Sequence, residues 1–307
     1  MTFRTDPASV TGSIAPLFTP FTADHAVCHD SLRRMVRWQL ANGTDGISIG
    51  GSTGEPSAQS VEERIAAIRT VADEIDGRVP FLPGTGSGHM AETLEMTKAA
   101  ADAGADMALI ITPYYSKPTQ EALYQWYSRV CREFPDLPIV AYNVPSRTAV
   151  EIDPVTVARL FDAHENFVGI KETTKDFEHF SRVKAAARDI VMWSGIELLC
   201  LPILAIGGQG FISALANIAP KAVAEMYDAA TRGDWDTAID LHYRLTPLVD
   251  LLFVETNPAP AKWLMHKQGL ISSPAVREPL IDLTAEGITK VEALVAQAED
   301  LLTPVDL

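Results

Sequence analysis

The sequence predicts an α/β protein: a (β/α)8 TIM barrel followed by a C-terminal helical appendage. Eight short apolar, strand-like runs recur roughly every 20 to 35 residues along the chain. Helix start and stop signals fall between most of them. After about Asn217 the strand signal ends and only amphipathic helical patterns continue. A count of eight favours a closed barrel over a doubly wound open sheet. The expected division is a barrel over residues 1–216 and a helical region over 217–307, packed on the barrel or on a neighbouring subunit.

Each element has a local reason. Ser13 to Thr19 is the first apolar run, ended by Pro20. Asp30 is placed to cap the following helix, whose Leu32, Met35, Val36 and Leu40 share a face before Gly43 stops it. Gly46 to Ile49 runs into the loop Gly50-Gly51-Ser52-Thr53-Gly54-Glu55, after which Ser60 and Glu63 make a capping box for a helix to about Ile75. Pro80 to Pro83 is a third strand, followed by an Ala-rich helix from Met90 to Gly104, and Met107 to Ile111 a fourth. Thr119 caps a helix reaching Phe134, and Pro138 to Tyr142 follows as strand five. Asp153-Pro154 opens a helix with an N-cap and a proline at its first position. Phe167 to Lys171 is strand six, Asp176 starts its helix, and Ile190 to Trp193 and Gly210 to Ser213 complete the set. The C-terminal pattern breaks near Gly233, Pro258, Gly269 and Pro274.

Composition narrows the function classes. With 47% hydrophobic and 21% charged residues the 307-residue chain can bury a large core. A formal net charge of −15 argues against nucleic acid or an anionic membrane as partner, since both need a clustered basic surface. Cys28, Cys131 and Cys200 are an odd number without C-x-x-C spacing, which suits reduced thiols in the cytoplasm. Met1 to Val10 is polar, without the apolar core of a signal peptide, and the longest apolar stretch, Leu198 to Ile206, is too short to span a bilayer and contains Pro202.

The informative polar residues are those at strand ends. Ser52 and Thr53 follow strand two, Tyr114 and Tyr115 follow strand four, Tyr142 ends strand five and Lys171 ends strand six. In a barrel these ends converge on one rim, so the set can surround a small substrate. Strict alternation puts Phe167, Gly169 and Lys171 on one face and Val168 and Ile170 on the other, with Gly169 leaving room beside the Lys171 ammonium. A partly desolvated lysine at that address is a candidate nucleophile towards a carbonyl. The glycine-rich loop lacks the Lys-Ser or Lys-Thr of a P-loop, but its backbone N–H groups and hydroxyls can hold a carboxylate. No metal site is expected: the histidines form no H-x-H or H-E-x-x-H pair, and His164-Glu165 lacks a second histidine. No G-x-S-x-G elbow is present either.

The sequence resembles the dihydrodipicolinate synthase and N-acetylneuraminate lyase family of class I pyruvate-dependent aldolases, from about Gly12 to Gly269. The resemblance rests on Gly12-Ser13-Ile14 with Thr19-Pro20, Gly51-Ser52-Thr53-Gly54-Glu55, Thr112-Pro113-Tyr114-Tyr115, Tyr142 to Thr148, Gly169-Ile170-Lys171-Glu172 and Asn217-Ile218-Ala219-Pro220. It implies a lyase without cofactor in which Lys171 forms a Schiff base with pyruvate, giving an enamine that adds to an aldehyde. Tyr142 would be the acid/base, its proton passed through Ser52 or Thr53 to Tyr115, which would reach in from a neighbouring subunit. Ser52, Thr53, Gly195 and Ile212 would line the pyruvate site, and the assembly would be a homotetramer, a dimer of dimers. Arg147, in Val-Pro-Ser-Arg-Thr, resembles the arginine with which the lysine-pathway synthases bind the carboxylate of aspartate semialdehyde.

Three departures fall on the side of the second substrate. Ser52 stands where the synthases usually have threonine, Pro56 follows Glu55, and Gly195-Ile196-Glu197 replaces a common Gly-Asp-Asp. The alternative is an aldolase or dehydratase of another 2-keto acid, such as a keto-deoxy sugar acid; a more distant one is a non-catalytic barrel that binds a keto acid. Val61 and Gly88 stand where lysine-sensitive relatives present a histidine and an asparagine, although Glu92 is retained, so insensitivity to lysine is expected.

Overall fold

The computed structural model describes residues 3–305; the ends of the polar N-terminal stretch and of the C-terminal region, Met1, Thr2, Asp306 and Leu307, lie outside the described residues. Seven parallel strands form one curled sheet: β1 (Gly12–Pro16), β2 (Gly46–Ser48), β3 (Ala108–Ile111), β4 (Ile139–Asn143), β5 (Phe167–Glu172), β6 (Val191–Ser194) and β7 (Gly210–Ile212), in the order β2-β1-β7-β6-β5-β4-β3. The expected third strand, Pro80 to Pro83, is present only as isolated bridges, Ile47 to Phe81 and Gly84 to Leu109. Two prolines explain this: neither can donate to a ladder. The segment nevertheless joins both sheet edges. Pro80 O accepts from Ile47 N at 3.0 Å and Gly84 N donates to Ile49 O at 2.7 Å on one side. Pro83 O accepts from Leu109 N at 2.9 Å and Thr85 N donates to Leu109 O at 3.0 Å on the other.

Helices separate the strands: α1 (His29–Ala41), α2 (Val61–Ile75), α3 (Met90–Asp102), α4 (Gln120–Glu133), the short α5 (Pro145–Thr148), α6 (Pro154–Ala163), α7 (Phe177–Ala186), α8 (Cys200–Leu204) and α9 (Pro220–Thr231). The Ser60–Glu63 capping box forms as expected, and Thr119 and Asp176 cap α4 and α7. Asp30 does not cap α1: the N-cap is Cys28, and Asp30 lies in the first turn, where its charge suits the helix dipole. Four more helices follow, α10 (Trp235–Arg244), α11 (Thr246–Leu252), α12 (Ala259–Lys267) and α13 (Ala285–Val295). Helix α9 packs on β1 and on α10, and α11 on α12 and α13. Among the described residues, no helix is long and apolar enough to cross a membrane.

Two apolar layers follow from strand alternation. Ile14, Leu109, Val140, Tyr142, Val191, Trp193 and Ile212 meet inside the curl, while Ala15, Ile110, Ala141, Met192 and Phe211 face the helices. Strand β5 breaks the simple rule. Its pairing with β4 slips between Ile139 and Val140, so that Phe167 and Gly169 face consecutive residues and Val168 is the extra one. The bulge turns Val168 into the inner cluster and sends Phe167 outward, where its ring meets Tyr127 of α4 edge-on at 5.8 Å. The expectation that Phe167 shares a face with Lys171 therefore fails upstream of the bulge, while Ile170 faces the helices and alternation holds from there on.

Candidate active site

Beyond the bulge, β4 and β5 run in strict register, with Tyr142 opposite Lys171 and Asn143 opposite Glu172. Lys171 and Tyr142 are both only 5% exposed. The Lys171 Nζ lies 4.4 Å from the centroid of the Tyr142 ring, a cation–π contact that holds the amine against the phenol. On its other side β6 brings Trp193 opposite Lys171. The space at Gly169 is taken by this neighbour and not by the ammonium: a Cβ there would lie 2.8 Å from Val191 O and 3.0 Å from the Trp193 ring. The glycine that makes room for the lysine is Gly195, where a Cβ would lie 2.5 Å from Lys171 Cε and 2.6 Å from Thr173 Oγ1.

The loop after β2 completes this corner. Residues Ser52–Gly54 form one 3-10 turn, and the Ser52 Oγ is 3.3 Å from the Tyr142 hydroxyl. Thr53, buried beside it, accepts a hydrogen bond from Asn257 Nδ2 at 3.1 Å. A cavity of about 240 Å³ opens beside Ser52 and Tyr142, lined by these two and Arg147 together with Tyr114, Arg64 and Thr148; Lys171, Thr53, Gly195 and Ile212 are not among its lining residues. Arg147, on α5, is exposed and forms no ion pair among the described residues, so its guanidinium is free to receive a carboxylate. Ile212 belongs to the inner apolar cluster with Tyr142 and Trp193. Tyr115 is not brought in: it is 94% exposed, at a φ of 71°, while its neighbour Tyr114 lines the cavity.

Several contributors escaped sequence reasoning. Glu172, wholly buried on the outer face directly after Lys171, accepts from Asn143 Nδ2 at 2.8 Å and from the backbone N–H groups of Thr173 and Thr174 at 2.9 and 3.2 Å. This bond ties β4 to β5 one residue beyond the Tyr142–Lys171 pair. His179 of α7 stands 3.2 Å from the same carboxylate, and Glu151 lies 3.9 Å from its other nitrogen. Burial opposes the imidazolium, but the close Glu172 carboxylate and the charges of Glu151 and Asp176 outweigh it and raise the His179 pKa. Arg64 is buried in α2, donating to Gly84 O and Gly86 O at 3.1 Å each, and desolvation lowers its pKa to about 10. Its place was readable, since Arg64, Ala67 and Ile68 fall on one helical face. Glu197 points away from the cavity: its Oε1 accepts from Ala214 N at 3.1 Å, and burial pushes its carboxyl pKa up against the opposing charge of Lys171.

A buried amine stacked on a phenol, a hydroxyl on that phenol and an unpaired guanidinium across a small cavity suit imine chemistry on a small carboxylated carbonyl compound. Known proteins point the same way. The model of the dihydrodipicolinate synthetase family matches residues 9–298. A 4-hydroxy-tetrahydrodipicolinate synthase of Thermus thermophilus is 44% identical over 276 residues, 90% of this chain and 92% of its own. Among solved structures, the dihydrodipicolinate synthase of Aquifex aeolicus superposes with a TM-score of 0.91 at 35% identity, covering 95% of this chain and 99% of its own. The chloride-inhibited dihydrodipicolinate synthase of Acinetobacter baumannii, solved in complex with pyruvate, gives 0.90 at 37% identity, covering 95% and 99%.

Proposed function

The chain belongs to the dihydrodipicolinate synthetase family, and from that premise we propose that it is a 4-hydroxy-tetrahydrodipicolinate synthase that condenses pyruvate with aspartate semialdehyde through a Schiff base on Lys171. The observation that carries this reading is the Lys171–Tyr142–Ser52 corner, with Nζ 4.4 Å from the phenol ring and the two hydroxyls 3.3 Å apart. The Lys171 amine adds to the keto carbon of pyruvate, water leaves, and the iminium draws electrons from the methyl C–H bond. Loss of that proton gives an enamine, whose carbon attacks the aldehyde. The amino group of the adduct then closes on the imine carbon and expels the Lys171 amine. Tyr142 supplies and removes protons at the imine, passing them through Ser52 towards Tyr115 of a neighbouring subunit. The exposure of Tyr115 supports that last element, since within one chain its ring meets no site.

Ser52 and Thr53 bind the pyruvate carboxylate, Gly195 and Ile212 shape the space around the lysine, and Arg147 takes the carboxylate of aspartate semialdehyde. The catalytic barrel spans residues 1–216, and the helical region 217–307 buttresses it. The working form is a cytoplasmic homotetramer, a reading supported by three unpaired thiols and by the apolar residues Trp235, Ile239 and Tyr243 exposed along α10. Lysine at millimolar concentration leaves the enzyme active. One experiment tests the choice of substrate: assay pyruvate with aspartate semialdehyde against cleavage of several 4-hydroxy-2-keto acids. Activity with the semialdehyde is expected; activity in cleavage alone rejects the synthase.

A further inference from the structure

The turn that carries Ser52 and Thr53 is fastened from the far end of the chain. Asn257, between α11 and α12, donates to Thr53 Oγ1 at 3.1 Å, and its own Oδ1 is buried without a partner among the described residues. A buried amide with half its polar atoms unpaired costs stability. What it gains is one bond to Thr53. Directly after the turn, Glu55 sits in the left-handed region at φ 53°, and its carboxylate is held by Lys262 Nζ and by Arg277 N, the latter at 2.9 Å. Lys262 is fully buried, also donates to Ala275 O at 3.0 Å, and lies 4.0 Å from the Phe21 ring centroid. An apolar pair of similar volume would hold the fold about as well as this buried ion pair. The ion pair, together with the Arg277 N–H, also fixes the direction of Glu55.

We propose that Asn257 and the Lys262–Glu55 pair are positioning residues for the substrate carboxylate, acting from the C-terminal region on the Ser52–Thr53 turn. The inference rests on that turn being the carboxylate site. A hydroxyl has one proton and can accept twice. The Asn257 N–H occupies the Thr53 oxygen from behind, so the Thr53 proton is directed away from Asn257 and remains available to an anion. Glu55, two residues after Thr53, anchors the end of the turn, so its backbone N–H groups keep their aim.

The wild-type enzyme is first incubated with pyruvate and borohydride. Absence of a reduced adduct on Lys171 overturns the Schiff-base reading itself and this inference with it. With the adduct present, Asn257→Ala is expected to raise the pyruvate KM about tenfold with kcat within about threefold and the melting temperature little changed. Asn257→Asp, an acceptor that captures the Thr53 proton, raises it further. In Thr53→Val the Asn257→Ala change has little left to remove, so the two effects fall short of additive. Because Lys262→Met alone strands the Glu55 carboxylate, the pair is tested as Lys262→Met with Glu55→Gln, which is expected to raise the pyruvate KM at retained fold. An unchanged pyruvate KM in these variants, or full additivity of Asn257→Ala with Thr53→Val, overturns the inference, and a lowered melting temperature at unchanged KM assigns the contacts to stability alone.

Discussion

Replacing Gly195 by alanine separates function from stability at Lys171, the proposed nucleophile. The added Cβ lies 2.5 Å from Lys171 Cε and 2.6 Å from Thr173 Oγ1, while ordinary contact between carbons begins near 3.5 Å, so something must move by about 1 Å. The backbone is fastened, since Gly195 N donates to Glu172 O at 2.8 Å, and Gly195 does not have a positive φ that alanine would resist. The flexible end of Lys171 and the Thr173 hydroxyl are the parts that give. An off-rotamer lysine costs about 0.5–1.5 kcal/mol, a fall of roughly 2–4 °C in melting temperature for each kcal/mol. The same displacement of a nucleophile costs on the order of 100-fold in rate. Steady-state kinetics, the rate of borohydride trapping with pyruvate and a thermal melt read all three quantities. Activity within threefold of wild type would refute the placement of Gly195 against Lys171, and a melting temperature lower by more than about 10 °C would show that the backbone yields instead.

Three further outcomes follow from the same geometry. Glu172→Ala takes the acceptor from the buried Asn143 amide and from Thr174 N, while Thr173 N keeps Asn143 O, and should cost about 2–4 kcal/mol in urea unfolding; Glu172→Gln, which keeps an acceptor, should cost about 1–2; equal costs would show that Asn143 and Thr174 do not depend on this acceptor. The His179 pKa is raised above its ordinary 6.5, so its stabilisation is complete below about that pH and drains as pH rises through the folded-state value. The urea midpoint of wild type should therefore fall relative to that of His179→Gln as pH rises from about 6.5 upwards, and identical pH profiles would contradict the ion pair with Glu172. Arg147→Ala should raise the KM for aspartate semialdehyde about 10- to 150-fold and leave that for pyruvate near wild type; the reverse pattern would move Arg147 to the pyruvate site.

Much of the fold was readable because the parallel strands repeat a simple pattern of apolar run, polar end and capped helix. The address of Lys171 at a strand end followed from that pattern, and so did its meeting with Tyr142, whose hydroxyl lies 3.3 Å from Ser52. Three features lay outside it for physical reasons. The bulge at Val168 is a backbone slip that alternation of side chains does not encode, so alternation alone gives Phe167 the wrong face. The segment from Pro80 joins both sheet edges with few donors, so its apolar pattern promised a fuller ladder than prolines allow. Asn257 and Lys262 act across more than 200 residues of chain, and no local signal ties them to Thr53 and Glu55. Gly169 and Gly195 show the same limit on a smaller scale. Both are glycines near the lysine, and only the neighbouring strand decides which one leaves it room.

The central claim is that Lys171 is the covalent centre. Incubation with pyruvate and borohydride, followed by peptide mass spectrometry, tests it most directly. One reduced pyruvyl group on Lys171 is expected, abolished in Lys171→Ala. Labelling at another lysine, or none at saturating pyruvate, would contradict the account.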